Sequence, residues 1–306
     1  MITVRVPAKV NVQLGVGGLR ADGFHDLANV FFAVALGDEV TAAPGQGVTL
    51  TCSGPDAALV PLDDSNLAAR AARLLAAHHG IEPNVALHIA KAIPVAGGMA
   101  GGSADGAAAL VACDALWDLT TPLPVLLELA AELGSDVPFA LLGGVALGRG
   151  RGELLTPLPV AGTFHWVFAV ADGGLSTPAV FRECDRLREA AGTGSGEAEV
   201  PTPDADPALL AALAAGDPVA LAGALTNDLQ AAALSLRPAL ADCLAAGTAA
   251  GALAALVSGS GPTCAFLAKD ALGAQAVAEA LAASGTCRTA HVTHGPVPGA
   301  QVIGRA

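Results

Sequence analysis

Tyrosine is absent from this 306-residue sequence, aromatic residues make up only 3%, and there are only three lysines. The formal net charge is -13. Sequence-independent affinity for nucleic acids depends on clustered Lys and Arg side chains. The composition therefore excludes a broad surface for nucleic acid, and any anionic ligand must be held by a few local donors.

Segments suited to a membrane are also missing, although 53% of the residues are hydrophobic. Most of these are Ala, Val and Leu, which is typical of a packed globular protein. The charge-free stretch 243–268 is rich in Ala, Gly, Ser and Thr and contains Pro262, so we predict that it is core. The first residues lack the basic start and apolar centre of a signal peptide. We expect a cytoplasmic protein with no membrane partner.

The six cysteines are widely spaced and form neither a Cys-x-x-Cys pair nor a metal-ligand pattern with His. We therefore predict reduced and mostly buried thiols. The sequence assigns no metal ligands.

A chain of this length can form two lobes with a cleft between them. Strand-like, Val-rich segments open the chain on either side of a predicted glycine-rich turn at 15–18. The rest of the first lobe has alternating helical and strand patterns, with segments at 66–79, 85–90, 103–117, 123–133 and 143–157.

The second lobe is predicted to begin with a strand at 165–170 and a helix from Pro178. Residues 190–207 are rich in small, acidic and proline residues, which is typical of a surface loop or linker. Two further strands are predicted at 253–257 and 264–267, joined by a glycine-rich turn at 258–262.

The segment most informative about chemistry is IPVAGGMAGGSADGAAAL, at 93–110. Glycines allow a ligand to approach the backbone, and exposed N–H groups at the start of a helix bind anions. Ser103 precedes an Ala-rich run, so the order is strand, glycine loop, helix. The segment is either a phosphate-binding loop or a flexible turn, and glycine content alone does not decide between them.

Three common glycine motifs do not fit this loop. A Walker loop needs a Lys after its second glycine, and no Lys occurs between Lys91 and Lys269. A dinucleotide-binding Gly-x-Gly-x-x-Gly cannot be placed in any frame. A hydrolase elbow needs Gly-x-Ser-x-Gly, and Asp105 stands where its last glycine should be.

The pattern that does fit is that of the GHMP kinases, Pro-x3-Gly-Leu/Met-Gly/Ala-Ser/Gly-Ser/Gly-Ser. The matching residues here are Pro94, Gly98, Met99, Ala100, Gly101, Gly102 and Ser103. Blocks at 7–27 and 258–266 also match, in the same order. This resemblance implies an α+β fold of two domains with the active site in the cleft between the lobes. The N-terminal domain, 1–160, would carry the ATP-binding loop and the catalytic pair, and the C-terminal domain, 161–306, the substrate side.

Within that superfamily the sequence is most similar to the diphosphocytidyl-methylerythritol kinases. PAKVN at 7–11 is followed by ADGFH at 21–25, and GSDVP at 134–138, TPAVF at 177–181 and NDL at 227–229 also match. The resemblance implies transfer of phosphate from ATP, with Mg²⁺, to the 2-hydroxyl of a cytidine diphosphate methylerythritol, in the non-mevalonate route to isoprenoid precursors. It also implies a monomer or a weak homodimer.

The resemblance assigns Lys9 and Asp136 as the catalytic pair. Asp136 would accept or orient the hydroxyl proton, and the Lys9 ammonium would stabilise charge on the transferring phosphoryl group. Asp136 also precedes Pro138 in a pattern typical of a helix N-cap. Both roles for Asp136 remain open at this point.

The resemblance places the phosphates of ATP on Pro94, Val95, Ala96, Gly97, Gly98, Met99, Ala100, Gly101, Gly102, Ser103 and Ala104. Asn66 would contact the adenosine end, or would only cap the helix that follows it. The turn at 258–262 would line the substrate side, or would only connect two strands.

On the substrate side, Asn11 would orient the erythritol, and Phe24, His25, Thr177 and Phe181 would form the cytidine pocket. The family commonly has Tyr where this sequence has Phe24. Losing one hydrogen bond costs about 1 kcal/mol, so we expect weaker binding of the same substrate.

Two other functions stay open from the sequence. The acceptor could be another small alcohol, such as homoserine or a mevalonate derivative, but the cytidine-pocket residues argue against it. A nucleotide-binding sensor without activity is the other alternative, and the retention of both Lys9 and Asp136 argues against that.

Overall fold

Two β-sheets and ten α-helices form the protein, and the computed structural model describes all 306 residues. The strands are β1 Ile2–Leu19, β2 His25–Pro44, β3 Val48–Ser53, β4 Val85–Ala90, β5 Val145–Arg149, β6 Leu154–Pro157, β7 Phe164–Val170, β8 Thr226–Asn227, β9 Ala254–Val257, β10 Cys264–Ala268, β11 Thr289–Gly295 and β12 Gln301–Arg305. The helices are α1 Leu67–His79, α2 Gly101–Leu116, α3 Leu123–Leu133, α4 Val137–Leu142, α5 Thr177–Ala190, α6 Pro207–Ala215, α7 Pro218–Ala224, α8 Gln230–Leu236, α9 Ala239–Ala249 and α10 Ala271–Ser284.

The first sheet has the strand order β12-β1-β2-β4-β3, with β5, β6 and β8 attached at its sides. Along β1, even-numbered residues such as Val4 and Val10 lie in the main core. Side chains alternate between the two faces of a strand. Lys9 and Asn11 therefore share the opposite face, where both line a cleft.

The second sheet has the order β11-β7-β10-β9, and its two central strands, β7 and β10, are buried on both faces. Phe164, Trp166 and Phe168 of β7 pack into the main core, and the alternate residues Val167 and Ala169 pack into a second core with α5, α8, α9 and α10. A strand buried on both faces requires a nearly continuous apolar run, which explains the sequence FHWVFAV.

The main core contains residues from both halves of the chain, and β12 returns to pair with β1. The division into domains 1–160 and 161–306 stays a prediction, and β12 belongs to the second range by sequence but pairs with β1 of the first.

The charge-free stretch 243–268 forms part of α9, then β9, the turn and β10. No helix of the chain combines the length and apolar composition needed to cross a bilayer. All six cysteines are free and four are buried.

Helix α2 lies at the centre of the first lobe and is buried around most of its circumference. Its small side chains allow close packing on α1, where a Cβ on Gly106 would lie 3.2 Å from Leu67 Cβ. The glycine loop enters α2 with positive φ angles at Ala96 (55°) and Ala100 (59°). Non-glycine residues in this region store backbone strain of about 1–3 kcal/mol each, so the surroundings must hold the loop.

The predicted turn at 15–18 is wrong, because β1 continues to Leu19 and the chain reverses only after it. The glycines serve close packing instead. A Cβ on Gly15 would lie 2.8 Å from Pro203 Cβ, and one on Gly18 would overlap the backbone of Gly196. The segment after α5 has no helix or strand, as predicted, but it is bonded to β1, since the Leu19 N–H donates to Ser195 O at 2.8 Å.

Two glycines in helices provide a test of this packing. A Cβ on Gly247 of α9 would overlap the buried Phe266 ring, whereas one on Gly223 of α7 would meet nothing within 4 Å. We expect Gly247→Ala to lower the free energy of unfolding by about 1–3 kcal/mol. Gly223→Ala should raise it by up to about 1 kcal/mol. Denaturant unfolding of both variants checks this, and similar effects at the two sites would contradict the packing described.

Candidate active site

A single cleft of about 1040 Å³ collects nearly all the predicted site residues. Its walls come from β1, the start of β2, the glycine loop, the N-terminus of α4 and the first turns of α5. The predicted residues that line it are Lys9, Asn11, Phe24, His25, Asn66, Pro94, Val95, Ala96, Gly97, Gly98, Ala100, Gly101, Gly102, Ser103, Asp136, Thr177 and Phe181.

Met99 and Ala104 are the two predicted residues that do not line the cleft. Their side chains are 0% and 1% exposed and belong to the main core. Met99 lies just before α2 and Ala104 lies in its first turn, so their packing in the core holds the start of this helix. Only their backbone could contribute to a ligand.

Lys9 is buried, and its ammonium is held by two acceptors. Its Nζ donates to Asn11 Oδ1 at 2.6 Å and to Gly98 O at 3.0 Å, and Asn11 Nδ2 donates in turn to Asn29 Oδ1 at 2.6 Å. Burial lowers the pKa of Lys9, and the nearby Asp136 carboxylate opposes this by raising the pKa. Asp136 is thus close enough to act electrostatically on Lys9, although no ion pair within 4.0 Å joins them.

Asp136 stands at the N-cap position of α4, but its side chain makes no capping hydrogen bond. The α4 terminus instead relies on Pro138 near its start, which needs no N–H partner. The capping role that the sequence left open is therefore not the role of this carboxylate. Its lone pairs face the cleft without a protein donor.

The glycine loop and the turn at 258–262 pack directly on each other. Gly98 O accepts from Lys9 Nζ at 3.0 Å and from Ser258 Oγ at 3.2 Å. Gly98 has a φ of 75°, and a Cβ there would overlap Ser258 O. Both the turn angle and the close approach demand glycine at this position. Gly259 and Ser260 of the second turn reach the cleft.

The first backbone amides of α2 are available to a ligand. The first intrahelical bond runs from Ala104 N–H to Ala100 O at 2.9 Å, so the N–H groups of Gly101, Gly102 and Ser103 have no partner within the helix. All three residues line the cleft, and a Cβ on Gly102 would meet nothing within 4 Å. This helix terminus is suited to phosphate.

A buried charge network that the sequence reading missed lies under the loop. Lys91 Nζ donates to Asp38 Oδ2 and, at 2.9 Å, to Asp105 Oδ2, and all three residues are at most 4% exposed. Asp38 Oδ1 also accepts from Ala92 N–H at 2.6 Å and Ile93 N–H at 2.8 Å. The network ties β2, the segment leading into the loop and the second turn of α2 together.

Asp105 is the member of this network whose charged form is least favoured by its surroundings. Its Oδ1 is buried without a partner, and burial is the largest cause that raises the pKa of Asp105 to about 8, with Lys91 opposing and Asp38 adding to the rise. The neighbouring Lys91 cation therefore only partly offsets the cost of burying the charged form of Asp105.

A second ion pair ties the loop to the C-terminal part of the chain. Arg288 donates to both oxygens of Asp56, at 2.8 and 3.0 Å, and Asp56 Oδ2 accepts from Val95 N–H at 3.2 Å. The Arg288 guanidinium holds the pKa of Asp56 below its usual range. Neither residue was singled out in the sequence, because no local pattern links positions 232 residues apart.

At the other end of the cleft, aromatic and polar groups alternate. His25 Nε2 lies 3.0 Å from Asp185 Oδ1, and the His25 and Phe181 ring centroids are 5.1 Å apart. Thr177 Oγ1 and Ser260 Oγ are hydrogen-bonded at 2.9 Å. Asp185 was missed, although its spacing of four residues from Phe181 places both on one face of α5.

Phe24 and Asn66 both line the cleft, but Phe24 is exposed and Asn66 is buried. Phe24 is 48% exposed, and the Arg151 guanidinium lies 4.8 Å from its ring centroid, over one face. Asn66 Oδ1 caps α1 by accepting from Ala68 N–H at 2.8 Å, and its Nδ2 donates to Pro61 O. Asn66 is therefore a helix cap that also lines the cleft.

Comparison with known proteins agrees with this architecture. The models of the GHMP kinases N-terminal domain and of the GHMP kinases C-terminal region match residues 66–144 and 209–287. Fold and cleft thus define a small-molecule kinase of the GHMP class, which uses ATP as its phosphate donor. This confirms the fold class inferred from the glycine loop.

The chain is 68% identical to the 4-diphosphocytidyl-2-C-methyl-D-erythritol kinase of Streptomyces avermitilis over 99% of both chains. A crystal structure of 4-(cytidine 5'-diphospho)-2C-methyl-D-erythritol kinase is 34% identical, has a TM-score of 0.77, and covers 95% of this chain and 99% of its own. The chain belongs to the 4-diphosphocytidyl-2-C-methyl-D-erythritol kinase family. A homoserine kinase structure from Cytophaga hutchinsonii, with 23% identity, a TM-score of 0.73 and coverage of 99% of this chain and 97% of its own, shares the fold.

Replacing Lys91 tests the network under the loop. Removing one partner of a buried ion pair leaves an uncompensated charge and typically costs about 3–5 kcal/mol. We expect Lys91→Met to lower the free energy of unfolding by that amount. Arg149→Met, which removes the exposed pair with Asp204, should cost less than about 1 kcal/mol. Urea unfolding of both variants measures this, and a Lys91→Met cost as small as that of Arg149→Met would contradict it.

Proposed function

We propose that the protein transfers the terminal phosphoryl group of ATP to the 2-hydroxyl of 4-diphosphocytidyl-2-C-methyl-D-erythritol, giving the 2-phosphate and ADP. The reaction belongs to the non-mevalonate route to isoprenoid precursors. The relative from Streptomyces avermitilis is named for a kinase of this substrate, and its 68% identity to this chain supports the same substrate here. A monomer or weak homodimer and a cytoplasmic location both stay predictions.

One observation carries the proposal: the open amides of α2 and the unpaired Asp136 carboxylate face the same cleft beside the buried Lys9 ammonium. Phosphoryl transfer involves little covalent work by the protein and depends on positioning and on charge stabilisation. The amides would hold the phosphates, and the carboxylate would hold the acceptor hydroxyl.

Asp136 and Lys9 divide the chemistry. The Asp136 carboxylate, which accepts no capping bond, accepts the hydrogen bond of the 2-hydroxyl and orients its oxygen toward the phosphoryl group. The Lys9 ammonium, fixed by Asn11 and Gly98, stabilises the negative charge that the phosphoryl oxygens carry during transfer. A direct in-line transfer needs no covalent intermediate with the enzyme.

The residues that line the cleft fit a nucleoside triphosphate. The cleft has about 1040 Å³, and the glycines leave space where side chains would fill the cradle. No group of three acidic, His or Cys residues could hold a metal by itself. Mg²⁺ would therefore be bound mainly by phosphates and water, and the Ser103 hydroxyl and the Asp136 carboxylate are among the side-chain oxygens of the cleft that would be near it. When bound, it offsets phosphate charge. Asn66 would lie at the adenosine end.

The substrate would occupy the opposite half of the cleft. Asn11, held by Asn29, would orient the erythritol. Phe181, Thr177, His25 and Phe24 would surround the cytidine, although Arg151 already covers one face of the Phe24 ring. Phe24 would thus offer only its other face to a base.

Replacing Asp136 by Asn tests the role of the carboxylate. General-base groups contribute about 10²- to 10⁴-fold to rate, so we expect Asp136→Asn to lower kcat by that factor while ATP binding changes less than about threefold. Asp217→Asn is the matched control, because Asp217 caps α7 and Asn caps as well as Asp. ADP release and ATP titration measure the two effects. An unchanged kcat in Asp136→Asn, or no ADP release by the parent with saturating cytidyl substrate, would reject the proposal.

Replacing Gly102 by Ala tests the phosphate cradle. The added methyl meets no protein atom and suits a helix, so stability should not fall, but it enters the space above the α2 amides. We expect the KM for ATP to rise about tenfold, equivalent to about 1.4 kcal/mol, with the KM for the alcohol nearly unchanged. Gly223→Ala serves as the control. Steady-state kinetics with each substrate varied in turn measures both KM values. An unchanged KM for ATP in Gly102→Ala would contradict the phosphate cradle.

A further inference from the structure

His25 has a fixed protein partner on one side of its ring only. Nε2 lies 3.0 Å from Asp185 Oδ1 and 3.2 Å from Asp185 Oδ2, and the two side chains are 6% and 15% exposed. Nδ1 makes no hydrogen bond within the protein and is not among the polar atoms sealed from solvent. Because His25 lines the cleft beside Phe181, Nδ1 remains for a ligand.

The chemistry of the pair decides what Nδ1 can do. An ionised carboxylate only accepts hydrogen bonds, so the contact with Asp185 requires the proton of the neutral ring to be on Nε2. Nδ1 then carries a lone pair and can only accept. A base facing it must supply a hydrogen.

We propose that Asp185 is a positioning residue that keeps His25 Nδ1 an acceptor and thereby selects a base with an exocyclic amino group. The inference rests on the proposed function and names the group that the site recognises. The 4-amino group is the donor that cytosine offers, whereas uracil carries an acceptor oxygen at the same place.

The expected preference for the cytidyl over the uridyl substrate follows from the polar groups that uracil would leave without a hydrogen-bond partner. With uracil, the carbonyl oxygen would oppose the Nδ1 lone pair, and neither acceptor would have a hydrogen-bond donor from the other. Sites built around a hydrogen bond reject analogues that cannot form it by up to about 10⁴- to 10⁵-fold. His25 keeps slight solvent contact, so we expect the parent to prefer the cytidyl over the uridyl substrate by at least about 100-fold in kcat/KM.

The decisive variant is Asp185→Asn. An amide can donate or accept, so it no longer dictates the position of the His25 proton. We expect the cytidyl-to-uridyl ratio of kcat/KM to fall at least about tenfold, through KM, with kcat for the cytidyl substrate within about twofold of the parent. Glu183→Gln is the matched control, since Glu183 is on the same helix, bonds Arg186 and Ser235, and does not line the cleft. Its ratio should equal that of the parent.

An unchanged ratio in Asp185→Asn, or a kcat that falls equally with both substrates, would overturn the proposal. A second measurement needs only the parent protein. Long-range ¹H–¹⁵N NMR at about pH 8, with the His25 signal assigned by its loss in His25→Gln, should show a neutral ring protonated on Nε2. A proton on Nδ1 would overturn the inference even if Asp185→Asn did not fold. Failure of the parent to phosphorylate the cytidyl alcohol would reject the proposed function, while the NMR result would still report on Asp185.

Discussion

The carbonyl oxygen of Gly98 joins the three segments on which the candidate site depends. It accepts from Lys9 Nζ at 3.0 Å and from Ser258 Oγ at 3.2 Å. The first bond fixes the buried ammonium relative to the glycine loop, and the second fixes the loop relative to the turn at 258–262. Gly98 can adopt its positive φ and approach Ser258 this closely only because it has no side chain. Its carbonyl oxygen therefore sets the distances between Lys9, the glycine loop and the turn at 258–262.

Charged residues hold this loop from beneath and from the side. Lys91, between Asp38 and Asp105, secures the entry to the loop and the second turn of α2. Arg288, through Asp56, reaches the loop at Val95 from the C-terminal part of the chain. The two strained residues Ala96 and Ala100 lie between these supports. Rigid support of this kind keeps the α2 amides in place before a ligand binds, which reduces the cost of binding.

Local patterns predicted much of the fold. Strand β4 and helix α3 have the predicted bounds, since alternation and helical spacing are read within a few residues. The turn at 15–18 was predicted wrongly because glycine favours turns and close packing equally, and the segment that packs on Gly15 and Gly18 lies about 180 residues later in the chain. Strands β11 and β12 were not predicted, and their partners, β7 and β1, also lie far earlier in the chain.

The candidate site divides in the same way. Lys9, Asp136 and the loop stand in short motifs, and the cleft collects them. The residues that position the loop and His25, such as Asp38, Asp56 and Asp185, are of types that are ordinarily found on the surface. Only the contacts of the folded chain give them a role, because a carboxylate's partner is set by tertiary structure and not by its neighbours.

The pairing of β12 with β1 has a consequence for biosynthesis. Residues Ile2 to Arg5 find their edge partner only in Gln301 to Arg305. During translation, β1 can pair with β2 as soon as the first lobe emerges from the ribosome, but the edge of β1 that pairs with β12 stays open until residues 301–305 have also emerged. Open strand edges invite intermolecular pairing, so for most of synthesis this edge of β1 is exposed to pairing with other chains.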